Sequence, residues 1–159
     1  MGASRWSYVT SYTGDVAESL RELQEKVLRD GDYCWWDEFG EYTPRPGSLE
    51  VLWASDGRWD SGTHSILDMD RVVASTDPPD WRDVAAYGAI RPLAEDSAAR
   101  IFGTSRPSRA QFEAAAKDHA SPRHVELAAE VTMRWSGLYV LLSEAGTATE
   151  VGFWGSSGD

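Results

Sequence analysis

The run SGTHSILDMD, residues 61–70, gathers side chains suited to acid–base chemistry. Thr63, His64, Ser65, Asp68 and Asp70 stand among Ile66, Leu67 and Met69. A histidine titrates near neutral pH and serves as general acid or base, most effectively when a carboxylate orients its ring. His64 and Asp68 are therefore the candidate catalytic residues. The alternation of the run predicts a strand, with His64, Ile66, Asp68 and Asp70 on one face and Thr63, Ser65, Leu67 and Met69 on the other. At roughly 3.3 Å per residue, His64 and Asp68 would lie about 13 Å apart, beyond hydrogen-bond reach. On that reading the partner of His64 comes from elsewhere in the fold.

Other chemistries find less support. His119 and His124 are five residues apart, which does not put two ligands on one helical face, and no HExxH occurs. The carboxylates of WDEFGE lack the spacing and glycine of a calcium loop. A single cysteine, Cys34, excludes an internal disulfide and a cysteine-rich zinc site. Next to Trp35 and Trp36, it reads as a small buried hydrophobe. The terminal GSSG is not a GxSxG elbow, and neither a P-loop nor a dinucleotide fingerprint is present. No metal and no cofactor is expected.

Charge and aromatic content point to binding. Twenty-six acidic residues face fifteen basic ones, a formal charge of −11. Such a field repels nucleic-acid phosphates and anionic lipid, and attracts basic proteins or cationic and aromatic small molecules. Arginine outnumbers lysine thirteen to two, the bias of a GC-rich bacterial coding sequence. The eight tryptophans serve cores or partner surfaces. Trp35, Trp36, Trp53 and Trp59 are the binding candidates, with Arg45 and Arg58 in or near neighbouring loops. The start of the chain lacks a signal-peptide layout, and no apolar run reaches the roughly 18 residues of a membrane span. A reducing cytoplasm is the expected location.

The elements that would carry these residues follow from periodicity and punctuation. RWSYVTSY, residues 5–12, alternates as a strand. Residues 15–31 predict a helix, with Asp15 as cap, Glu18 three residues on, apolar positions Val16, Leu20, Leu23 and Val27, and Gly31 as stop. YCWW is a short strand or the start of a loop, SLEVLWAS a short helix capped by Ser48, and SDGRWDSG a loop. TDPPDW is a breaker and AYGAIRPL a strand. Three helices follow: one from Pro92 to Gly103, one with a Ser108–Gln111 capping box, and one capped by Ser121 with Pro122 in its first turn. Two β-rich runs around EAG predict a hairpin, and the tail FWGSSGD reads as disordered beyond its aromatic pair.

The expectation is a single α+β domain over residues 1–159 with short flexible ends. Its mainly antiparallel sheet would carry four to five helices on one face. Two functions are compatible with it. One is an acidic, tryptophan-rich binding protein that docks a basic partner, of which an immunity protein is one form. The other is a small cofactor-independent enzyme of cyclase, isomerase or hydrolase type, with an aromatic pocket and His64 as acid or base. Oligomeric state is not legible in the sequence.

Overall fold

The computed structural model describes residues 4–35 and 44–158. Trp36 and the carboxylates that follow it lie outside these residues. The first strand, β1 (Arg5–Ser11), leads into α1 (Val16–Asp30), which is built as its sequence predicts. The Asp15 carboxylate accepts the Glu18 N–H at 2.8 Å, and Gly31 closes the helix in the left-handed region at φ 69. There glycine avoids the Cβ clash other residues meet. Leu20, Leu23 and Val27 are buried on one stripe of α1. On the same helix the Gln24 amide donates to the carbonyls of Ile66 (3.1 Å) and Met69 (2.6 Å), fastening the 61–70 segment to α1.

Two short helices follow, α2 (Leu49–Trp53) and α3 (Asp56–Ser61). SDGRWDSG, expected as a loop, is thus largely helical, because Ser55 caps it by accepting the Gly57 N–H. The chain then forms β2 (Arg71–Val72), β3 (Ala89–Pro92), α4 (Glu95–Phe102), α5 (Arg109–Lys117), α6 (Pro122–Glu130), β4 (Ser136–Glu144) and β5 (Thr147–Ser156). Helix α4 starts three residues later than expected, since Pro92 ends β3. The Ser108–Gln111 capping box is complete. The β4–β5 hairpin turns through Ala145 and Gly146, both at positive φ, as a two-residue primed turn requires.

The sheet order is β1-β5-β4-β3-β2. The pairs β1–β5 and β5–β4 are antiparallel, whereas β4–β3 and β3–β2 are parallel. The sheet is therefore mixed, not mainly antiparallel. Helices α4, α5 and α6 carry the chain from the end of β3 back to the start of β4, so both strands run the same way. Among the described residues there are six α-helices, and they pack on both faces of the sheet rather than one. Along β4, Leu138, Val140 and Leu142 point into the core beneath α4–α6, with Ile101, Phe102, Phe112 and Leu127. The alternate residues Tyr139 and Leu141 pack into a second core beneath α1 and α2, with Leu20, Leu52, Ile66 and Phe153. A strand apolar on both sides must be covered on both sides.

The tail is part of this packing. Residues 151–158 are all buried, so the disorder expected after Trp154 does not occur. Trp6 lies across two neighbouring strands where Gly155 and Gly137 leave it room: a Cβ would stand 2.2 Å from its ring at Gly155 and 2.9 Å at Gly137.

Candidate functional site

The segment 61–70 is not a strand. Gly62 sits at φ 69 and His64 at φ 53, and a single 3-10 turn covers Ile66–Asp68. Turn bonds and side chains, not a strand ladder, satisfy its backbone. Ser65 Oγ accepts the Leu67 N–H at 3.2 Å, and Asp68 Oδ1 accepts the Thr63 N–H at 2.7 Å. The Thr63 and Ser65 hydroxyls meet at 2.8 Å. Short polar side chains that bond locally compete with sheet formation in this way.

This knot is anchored by Arg58 of α3, itself only 1% exposed. One guanidinium nitrogen donates to the Asp68 carbonyl at 2.6 Å and to the Asp70 carboxylate at 2.9 Å. Gly88 allows that approach, since a Cβ there would stand 2.9 Å from Asp70 Oδ2 and 3.1 Å from the Arg58 guanidinium. The guanidinium also lies 4.3 Å from the centre of the Trp59 ring, and Trp59 is tilted against Trp135 at 5.2 Å. Trp135 adopts φ 57 and closes over the tail so tightly that a Cβ on Gly158 would collide with its indole.

Asp68 is the most constrained group here. It is 0% exposed, and its Oδ2 has no hydrogen-bond partner among the described residues. The Ser157 hydroxyl, also buried and unbonded, lies against the carboxylate without reaching hydrogen-bond geometry. Burial pushes the Asp68 carboxyl above its ordinary range, against the opposing pull of Ser157, Thr63 and Arg58. A buried carboxylic acid is favoured in its neutral form. Beside it, burial and the Asp32 carboxylate raise the Tyr8 phenol to about 12.

His64 keeps different company. Its Nδ1 lies 2.7 Å from Ser4 Oγ, at the start of β1, while Asp68 turns toward Thr63 and Ser157. Among the described residues the two candidate catalytic residues thus share one loop but have different hydrogen-bond partners. A serine hydroxyl beside a histidine ring is the arrangement of an activated nucleophile, and sequence spacing could not have paired residues 4 and 64. Five surface clefts among the described residues range from about 340 to 560 Å³, and neither residue lines any of them. The described residues hold no cluster of three metal-ligating side chains. His119 and His124 do meet, at 3.1 Å, across the α5–α6 connection. His124 Nδ1 lies 3.0 Å from the Ala115 carbonyl, which makes Nδ1 the donor there.

The candidate binding tryptophans divide. Trp35 is buried in the α1-side core. Trp53 is half-buried and spends its indole N–H on the Leu67 carbonyl at 3.1 Å. Trp59 keeps an exposed ring, at 44%. Among the described residues the most exposed indole is one outside the candidates: Trp81, at 65%, with Val84 nearby at 73%. Both stand on the segment joining β2 to β3, where Asp77, Asp80 and Asp83 are exposed as well. Asp80 and Asp83 accept the N–H two residues on, from Arg82 and Ala85, shaping the loop as consecutive side-chain turns. The Arg82 guanidinium lies 4.7 Å from the centre of the Trp81 ring. Within residues 73–88 three carboxylates stand against the Arg82 guanidinium. Arg71 and Arg91, themselves ion-paired with Asp70 and Glu130, donate to the loop carbonyls of Ala85, Tyr87 and Thr76 from its base. The available signal was a tryptophan between aspartates in DPPDWRD, with no apolar periodicity to draw it into a core.

No protein-family model matches this chain, and neither a curated protein nor a solved structure matches it.

Proposed function

We propose that the protein is an acidic binding protein that docks a basic protein partner through the β2–β3 loop, as an immunity protein docks a cationic toxin. The observation that carries this reading is the pairing of Trp81 and Val84 at high exposure with Asp77, Asp80 and Asp83 on one segment. Exposed aromatic anchors ringed by polar groups supply most of the energy of a protein interface. Carboxylates around them steer and orient a cationic partner. The overall charge of −11 acts in the same sense at longer range. A cytoplasmic location belongs to the same proposal and suits an unpaired Cys34.

The test is a comparison of variants against a basic partner captured on the immobilised protein. Trp81→Ala is expected to weaken binding by roughly tenfold or more. Joint replacement of Asp77, Asp80 and Asp83 by Asn should slow association with a smaller effect on dissociation. Equal binding by all three proteins would remove the loop from the interface.

The second reading, a small hydrolase, rests on one observation, the 2.7 Å contact of Ser4 Oγ with His64 Nδ1. It predicts that a fluorophosphonate probe labels Ser4 and that His64→Ala abolishes labelling. An unlabelled wild-type protein would dismiss it.

A further inference from the structure

The two edges of the sheet are protected unequally. At one edge β2 pairs with β3 over only two residues, which offers little to a passing strand. At the other, β1 runs seven residues without proline, lysine or a break in its register with β5. The outward backbone groups of β1 can be assigned from the bonds that flank it. Ser157 N–H donates to the Ser4 carbonyl and Tyr12 N–H to the Thr149 carbonyl, each at 2.9 Å. Both contacts fall in the β1–β5 register, so even-numbered residues bond inward. Antiparallel bonding alternates along a strand. Trp6, Tyr8 and Thr10 therefore face β5, while Arg5, Ser7, Val9 and Ser11 turn N–H and C=O outward. Among the described residues no hydrogen bond occupies these outward groups.

The space beside them is open. A groove of about 410 Å³ runs along Tyr8–Ser11, walled by Leu23, Val27 and Asp30 of α1 on one side and Arg109 of α5 on the other. Its charges nearly cancel: Lys26 and Arg109 stand against Asp30, Asp32 and Glu150, with Arg5 at the far end of β1. Lys26–Asp30 and Arg109–Glu150 are already ion-paired. On a protein of charge −11 this is a nearly neutral seam, without the strong field that would draw a basic partner. A seam of matching neutrality, length and alternation belongs to a second copy.

We propose that β1 is a homodimer interface, in which the β1 strands of two copies pair antiparallel about a two-fold axis at Tyr8. About that axis Ser7 bonds with Val9 of the second copy, and Arg5 lies opposite Ser11 of the second copy. Every outward N–H and C=O is then satisfied, and the two five-stranded sheets join into one. A two-fold contact must be self-complementary, and this register is. The interface lies at the opposite sheet edge from the β2–β3 loop and does not rest on the docking proposal.

The experiment is sedimentation equilibrium on the full chain, with amide hydrogen exchange followed along a dilution series. A dimer is expected in which Ser7 and Val9 amides are protected and lose protection on dilution, while Tyr8 and Thr10 stay protected throughout. Ser7→Pro removes an outward donor from each copy and no bond to β5. It should weaken dimerisation by roughly tenfold or more with an unchanged circular dichroism spectrum. Should Ser7→Pro fail to fold, the wild-type dilution series decides by itself. A monomer at millimolar concentration overturns the proposal, as does a dimer indifferent to a folded Ser7→Pro. So does a monomer whose Ser7 and Val9 amides gain protection only when an extended, alternating lysine–valine peptide is added.

Discussion

Replacing Asp68 by Asn keeps the shape of a fully buried side chain and removes its charge. The Asn oxygen can still accept the Thr63 N–H that Oδ1 accepts at 2.7 Å, and its amide N–H can donate to the Ser157 hydroxyl. Burial raises the Asp68 carboxyl above its ordinary value of 3.8, so the folded protein holds that proton more tightly than the unfolded chain does. The stabilisation is complete below 3.8 and is lost as pH rises through the folded-state value. Asn does not titrate, so the variant should gain on the wild type across that window. One proton limits the gain to about 1.4 kcal/mol per pH unit, after which the two curves run parallel. Asp68→Ala should lie about 1–3 kcal/mol below Asp68→Asn at every pH, because it leaves the buried Thr63 N–H without an acceptor. Urea unfolding between about pH 4 and pH 8, read by tryptophan fluorescence, measures all three proteins in the range where carboxylate linkage acts. Parallel wild-type and Asn curves over the whole range would refute the reasoning, since Asp68 would then titrate as it does unfolded.

Gly155→Ala brings a methyl group onto the Trp6 ring, 2.2 Å away before any movement, and should cost about 1–3 kcal/mol of stability. Trp6→Leu in the same chain should restore part of that loss, which a double-mutant cycle of urea midpoints would detect. Leu52→Ala, at a side chain 0% exposed, is expected to cost about 2–5 kcal/mol. Val84→Ala, at 73% exposure, should stay within about 0.5 kcal/mol while weakening partner binding. His64→Asn should change stability by less than about 1 kcal/mol, because Asn tolerates the left-handed backbone at φ 53. His64→Val should lose measurably more in the same thermal unfolding assay, since a β-branched side chain is strained there.

Where several local signals agreed, the fold was legible. Helix α1 has its period, its cap at Asp15 and its stop at Gly31 all in register, and α5 has a reciprocal Ser108–Gln111 box. The β4–β5 hairpin was marked by its turn residues. Residues 61–70 were misread because polar and apolar residues alternate there as in a strand. The alternation instead places Ser65 and Asp68 to bond their own backbone, and tertiary contacts from Gln24 and Arg58 complete the loop. Strand direction was hidden for another reason: nothing within β3 or β4 distinguishes a return from a crossover, and the three intervening helices decide it. At the site, burial was the missing quantity. Trp35 and Trp81 are chemically alike, and only packing makes one a core residue and the other an exposed anchor. The contact of Ser4 with His64 is likewise set by the fold, across 60 residues of chain.

The docking claim is tested most directly by the dissociation constant of the captured basic partner, measured for wild type and Trp81→Ala over a series of rising salt concentrations. The account predicts that salt weakens wild-type binding mainly through slower association, and that Trp81→Ala lowers affinity by roughly tenfold or more at every salt concentration. Affinity indifferent both to salt and to Trp81 would contradict it.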